Sequence, residues 1–186
     1  MVGIREAAEI ARRANRMVVI GCSGSGKSTH AQKAAALLDL PYISIDRDVL
    51  WRPGWVLRDR TEQRRLTEEL TARDRWIMDG TAPATLHLRL PRAELVIWPD
   101  LPRFACLWGV LRRWITHLGR TRPEMAPGCP ERIHPEFLRY VWTWNRDVRP
   151  RVLEGLSTHA PETPVLLLHS HGEMDAFLRE IGRLTA

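Results

Sequence analysis

Apolar positions along the 186-residue chain switch period repeatedly, and the switches outline alternating helices and strands. Ile4, Ala7, Ala8, Ile10, Ala11 and Ala14 recur at helical spacing, which predicts an amphipathic helix over 4–14. Met17–Ile20 is a short apolar run that reads as a strand, followed by an Ala-rich helical segment over 26–38. "LPYISID" (40–46) predicts a second strand, 61–74 a helix and "RWIMDG" (75–80) a third strand. "AELVIWPD" (93–100) and "TPVLLLHS" (163–170) predict the fourth and fifth. Strands this short, apolar on both faces and separated by helices, imply a parallel sheet covered on both sides, a three-layer αβα arrangement. After the fourth strand, Phe104, Leu107, Trp108, Leu111 and Ile115 form the apolar face of a helix that Gly119 ends, and Pro135 marks the start of another. No repeat, low-complexity tract or linker divides the chain, so a single domain over 1–186 is expected.

The first strand runs into Gly21-Cys22-Ser23-Gly24-Ser25-Gly26-Lys27-Ser28, a complete G-x-x-x-x-G-K-[ST] between a strand and a helix. Glycines let the backbone curl so that successive N–H groups point inward at a phosphate, and the positive end of the next helix adds to the pull. The nucleotide-binding set is therefore Gly21, Ser23, Gly24, Ser25, Gly26, Lys27, Ser28 and Thr29. Lys27 would bridge the β- and γ-phosphates of ATP, and the Ser28 hydroxyl would take one place on Mg²⁺.

In an open parallel sheet, ligands bind beyond the carboxyl ends of the strands. Asp46 and Asp48, Asp79 and Asp100 fall at those ends. A Mg·ATP enzyme needs a carboxylate near the metal and often a second to accept the proton of the attacking hydroxyl. Asp79, directly before Gly80, suits the metal shell; Asp46 suits the substrate side; any of the four can also serve as an Asx turn or cap.

Charge and composition narrow the setting. The formal net charge is +6, yet Lys27 and Lys33 are the only lysines. That bias is either a compositional habit or an attraction for polyanions. No apolar run is long enough to span a bilayer, the N-terminus lacks an apolar signal region, and Cys22, Cys106 and Cys129 make no paired framework, so a soluble protein of the reducing cytoplasm is expected. The seven histidines carry no metal spacing.

Together "GCSGSGKST", "ISIDRDVLWRPGW", "RWIMDGT", "LVIWPDLPRFACLW" and "GRTRPEMAPGCPERI" resemble the small P-loop proteins labelled DNA topology modulation proteins, which are similar to adenylate kinase. The resemblance covers roughly residues 16–170. It implies a P-loop NTPase fold with strand order 2-3-1-4-5 and a helical lid between strands four and five. The chain departs from the family's pattern in two places: Thr81-Ala82 stand where Asn-Tyr is common, and Gly109 where an Arg is common.

By that resemblance the lid lies near 112–135 and delivers arginines to the transferring phosphoryl group, with Arg113 and Arg122 favoured over Arg112, Arg120 and Arg132. A lid also excludes water that would otherwise hydrolyse ATP. The acceptor segment lies near 46–75, with Asp46, Asp48, Trp51 and Arg52 as substrate contacts; Trp55 is read rather as packing under a Pro-Gly turn. A second cluster holds Trp142, Trp144, Arg146, Arg149 and Arg151, where either an Arg reaches the phosphates or Trp142 packs against the sheet, and the loop His169–Gly172 would line the adenine pocket. The expected catalytic set is Lys27, Asp46, Arg113 and Arg122, with Ser28 and Asp79 on the metal. The favoured function is a phosphotransferase that uses ATP and Mg²⁺ on a small acceptor, a nucleoside monophosphate or nucleoside first. A nucleotide-dependent regulator and a nucleic-acid-associated NTPase are the alternatives, the latter disfavoured because no nucleic-acid-binding motif or dense basic run is present.

Overall fold

The computed structural model describes residues 1–185. The chain opens with α1 (Ile4–Arg13), enters β1 (Arg16–Val19), and passes through the glycine loop into α2 (Lys27–Leu37) and β2 (Tyr42–Ser44). One wide helical turn, Asp46–Leu50, leads to a small hairpin, β3 (Trp51–Arg52) and β4 (Val56–Leu57), then to α3 (Arg60–Thr71) and β5 (Trp76–Asp79). A tight passage containing α4 (Leu86–Arg89) joins β5 to β6 (Leu95–Pro99). Then come α5 (Arg103–Thr116), α6 (Pro135–Asp147), α7 (Arg149–His159), β7 (Val165–Leu168) and α8 (His171–Thr185).

The central sheet is parallel throughout, in the order β2-β5-β1-β6-β7. The hairpin β3–β4 stands outside it, and counted over the sheet's own strands the order is second, third, first, fourth, fifth. Every residue of β5 and of β6 is buried, and since neighbouring side chains point to opposite faces, both faces of the sheet are covered. Val19 and Ser44 both register with Asp79, so the carboxyl ends of β1, β2 and β5 finish level. The glycine loop follows β1 and Asp46 follows β2 at that same edge. Small side chains let α1 pack close: Ala7, Ala8 and Ala11 are buried, and α1 lies against α8. Asp59 caps α3 by accepting the Glu62 N–H at 2.9 Å.

Two expectations need correction. Phe104, Trp108, Leu111 and Ile115 do not face the core; they are exposed, while Cys106 and Val110 are the buried positions of α5. The cause is Gly109, whose backbone lies so close to the glycine loop that a Cβ would sit 2.0 Å from the Gly24 carbonyl oxygen. That contact turns the bulkier stripe outward. Trp142 likewise does not pack on the sheet: it is exposed, edge-on to Phe104 at 5.7 Å and beneath Arg103, while Trp144 is buried. The hairpin, α4, α7 and α8 were not anticipated, although Met174, Phe177 and Ile181 of α8 show helical spacing. Among the described residues no helix is long and apolar enough to cross a membrane.

His30 on α2 is buried against the Phe177 ring at 5.7 Å, and burial lowers its pKa from 6.5 to about 4. Between those values the unfolded chain holds a proton that the folded protein rejects. Stability is therefore full above the unfolded pKa and declines as pH falls through the window, by about 3 kcal/mol in all. His30→Phe should flatten this slope in denaturant titrations across the window; an unchanged slope would assign the pH dependence elsewhere.

Candidate active site

Leaving β1, Ile20 donates to the Ile97 carbonyl at 3.0 Å, and the chain then turns at Gly21. The Gly21 N–H donates to the Thr81 hydroxyl at 3.0 Å, and that hydroxyl donates back to the Gly21 carbonyl at 2.9 Å. Gly24 and Gly26 follow with φ of 84° and 85°, in the left-handed region that disfavours side chains. A Cβ on Gly24 would lie 2.0 Å from the Cys106 carbonyl oxygen. Gly26 precedes α2, whose first-turn amides lack intrahelical partners and sit at the positive end of the helix. Ser25 and Lys27 are buried, Ser23 and Ser28 half-buried, and Thr29 exposed.

Asp79 ends β5 and is buried. Tyr42 donates its hydroxyl to Oδ2 at 3.0 Å, while Oδ1 has no partner among the described residues. Burial raises the Asp79 pKa; the Lys27 charge and the nearby Ser28 and Tyr42 hydroxyls oppose the rise, and the charge on Asp46 adds to it. Lys27, Ser28, Asp46 and Asp79 thus stand together. An unpartnered buried carboxylate oxygen beside a serine hydroxyl suits a hard cation such as Mg²⁺, and the glycine-loop amides suit the phosphates of ATP.

The acceptor segment divides differently from expectation. Asp46 opens the wide turn after β2 and is half-buried. Asp48 is occupied internally: Arg47 donates to its two oxygens at 2.7 and 2.9 Å, and the Ser44 N–H donates to Oδ2 at 2.9 Å. Arg52 is exposed and pairs with Glu62 at 2.5 Å. Trp51 meets Trp55 edge-on at 5.2 Å, and both pack on Met125, Ala126 and Cys129 of the lid. Asp48, Arg52 and Trp51 each have a partner within the protein. A cleft of about 530 Å³ lies on the outer side of this segment, lined by Tyr42, Arg47, Arg58 and Pro127 among others, but by no glycine-loop residue.

The chain between α5 and α6, the segment expected to act as a lid, is tied to the rest of the protein by hydrogen bonds. Ser44 Oγ donates to the Glu124 carbonyl at 2.7 Å, the Gly54 N–H to Pro127 at 3.3 Å and the Trp55 indole to Pro130 at 3.2 Å. Arg113, from α5, and Arg122 meet on the buried Glu131, at 3.0 and 2.6 Å, and Arg122 also pairs with Glu124 at 2.8 Å. Burial and the neighbouring Arg122 lower the Arg113 pKa, while Glu131 and Asp46 raise it, which puts Arg113 in electrostatic reach of Asp46. Arg112, Arg120 and Arg132 are exposed, Arg132 lying over the Trp55 ring at 4.9 Å.

Other candidates resolve into structure. Asp100 pairs with Arg149 at 2.9 Å, and Arg146 with Asp147. The His169–Gly172 loop reaches the glycine loop: a Cβ on Gly26 would lie 3.7 Å from the His171 ring. Two residues escaped sequence reasoning. Tyr140 is edge-on to the Trp144 ring at 5.7 Å, and its hydroxyl pKa is raised by desolvation first, with Cys22 and Asp46 adding to the rise. Arg89 is completely buried behind the loop that follows Asp79. Nothing in the spacing singles out either one.

Neither a protein-family model nor a curated protein sequence matches the chain. Among solved structures, shikimate kinase from Acinetobacter baumannii in complex with shikimate is similar over 95% of this chain and 96% of its own, at 16% identity and a TM-score of 0.59. Shikimate kinase from Bacteroides thetaiotaomicron is similar over 92% and 98%, at 12% identity and a TM-score of 0.50. A gluconokinase from Sinorhizobium meliloti 1021 is similar over 92% and 93%, at 19% identity and a TM-score of 0.49. The chain has the P-loop fold of these kinases. At this identity the likeness extends to the fold alone. Similarity to adenylate kinase is likewise a matter of fold, and the DNA topology modulation family gains no support from these comparisons.

Gly109→Ala should force the glycine loop and α5 apart. A loss of about 1–3 kcal/mol is expected, read as a fall of several degrees in melting temperature, together with weaker nucleotide binding. An unchanged melting temperature would mean that the close approach does not hold in solution.

Proposed function

We propose that the chain is a phosphotransferase that moves the γ-phosphoryl group of Mg·ATP to a small-molecule acceptor. The observation that carries this reading is the meeting of two carboxylates of different character beside one P-loop. Asp79 is buried, next to Lys27 and Ser28; Asp46 is half-buried, within electrostatic reach of Arg113 and Tyr140. A site that only held nucleotide would need the first set, whereas a transferase also needs the second to receive the acceptor.

In this reading the glycine-loop amides and Lys27 bind the phosphates. Ser28 would contribute a hydroxyl to Mg²⁺, and Asp79 would supply the carboxylate of its outer shell. When bound, Mg²⁺ neutralises phosphate charge and orients the transferring group. Asp46 orients the acceptor hydroxyl or phosphate and takes its proton. Arg113 and Arg122 turn from Glu131 to the phosphoryl oxygens, where planar guanidinium groups stabilise spreading charge. The lid, near residues 112–135, excludes water while transfer occurs. A nucleoside monophosphate or nucleoside leads the acceptors; the solved complex of a similar fold with shikimate adds that compound to those worth testing. The pairing of both lid arginines with Glu131 favours a second reading, a nucleotide-binding regulator with slow turnover.

ADP release from Mg·ATP, measured with nucleoside monophosphates, nucleosides, small alcohols, shikimate and duplex DNA added separately, tests the proposal. Strong stimulation by one small acceptor, with a phosphorylated product by mass, is expected. Tight nucleotide binding without stimulation would favour the regulator. Lys27→Ala should abolish turnover with the fold retained. Asp46→Asn should lower kcat at least ~100-fold, the scale of general-base loss, with ATP affinity nearly unchanged. Equal losses in both would make Asp46 a structural cap.

A further inference from the structure

Arg89 lies at the end of α4, completely buried, and among the described residues no carboxylate is within ion-pair distance of it. Its hydrogen bonds go to backbone instead. Nη1 donates to the Gly80 carbonyl at 2.7 Å, and Nη2 to the carbonyls of Thr81 at 2.6 Å and Ala82 at 3.4 Å. Three successive carbonyls therefore curl around one planar cation. Ala82 adopts φ of 31°, in the left-handed region that a non-glycine residue seldom occupies.

The curled loop touches every part of the site. Asp79 directly precedes it. Gly80 packs so closely on Ile45 that a Cβ would lie 2.7 Å from the Ile45 Cβ, and Ile45 directly precedes Asp46. Thr81 clasps the Gly21 peptide at both its N–H and its carbonyl. We propose that Arg89 is the positioning residue of the nucleotide site: it sets residues 80–82 around its guanidinium, and through Thr81 it fixes the entry of the P-loop. This rests on the phosphotransferase reading in that the P-loop must bind nucleotide.

Charge and geometry act in the same direction. Burial lowers the Arg89 pKa to about 10, with Asp79 and Asp46 opposing the fall, so the group stays cationic at neutral pH. It supplies a fixed positive charge behind the two carboxylates without bonding to either, which leaves Asp79 Oδ1 without a partner. A lysine offers a compact charge but no planar fork to span neighbouring carbonyls. An apolar side chain of similar volume would strand those carbonyls in a buried place.

The test is a double-mutant cycle of Arg89→Lys and Thr81→Val, read as the dissociation constant for ATP from tryptophan fluorescence, with circular dichroism confirming each fold. Each single change should weaken binding about tenfold, the scale of one lost hydrogen bond to a charged or buried partner. The double variant should lose little more than the worse single one, because both act through one loop. Thr81→Ser, which keeps the hydroxyl, should restore affinity. Additive losses, or unchanged affinity in folded Arg89→Lys, would overturn the proposal. If Arg89→Lys does not fold, Arg89→Gln replaces it, and failure of both to fold would assign Arg89 to fold maintenance and overturn the positioning role. Absence of ATP binding in the unaltered protein would instead overturn the phosphotransferase reading, and this one with it.

Discussion

The Thr81 hydroxyl, holding the Gly21 peptide by its N–H and its carbonyl together, is the constraint on which the site depends. It ties the loop after β1 to the loop after β5. The parallel sheet brings those ends side by side, since Val19 and Asp79 are in register. Register alone would leave the glycine loop free to swing, because its residues were chosen for backbone freedom. The clasp removes that freedom at the entry, and the approach of Gly109 to Gly24 removes it at the crown. Between the two fixed points the amides are held in place before any phosphate arrives, so binding does not bear the full entropy of ordering them.

A second constraint governs the far side of the crevice. Arg113, Arg122, Glu131 and Glu124 form a charge-balanced cluster in which Arg122 and Glu131 are both buried. Removing one partner of such a buried pair leaves the other charge stranded. Such a cluster is a strong latch with a built-in alternative: phosphate oxygens offer the arginines the same bidentate geometry as a carboxylate. The tryptophan pair of the hairpin completes the latch from outside, holding Met125, Ala126 and Cys129 by packing rather than charge.

Much of this was legible in the chain. The glycine motif lies between a strand and a helix, and local residue chemistry requires it to. The five strands of the sheet announce themselves as short runs apolar on both faces, and Asp46 and Asp79 follow from standing at their ends. Less legible were residues whose role depends on what comes near them. Asp48 and Asp46 differ by two positions and are chemically identical, yet Arg47 and the Ser44 amide engage one and not the other. Trp51, a substrate contact by its place in the chain, packs on Met125, Ala126 and Cys129, far from it in sequence. Tyr140 and Arg89 lie 61 and 10 residues beyond Asp79 in the sequence, with no periodic or motif signal to connect them to it.

Sequence by itself determined the phosphate-binding loop, the alternation that builds a parallel sheet, and the strand ends where chemistry would gather. These depend on backbone conformation and on apolar periodicity, which are written locally. Only the tertiary structure decided which face of α5 turns outward, which carboxylate stays available, and which arginine stands behind the site. Those outcomes depend on distances between segments far apart in the chain, where one missing Cβ at Gly109 or one buried guanidinium at Arg89 outweighs any local preference.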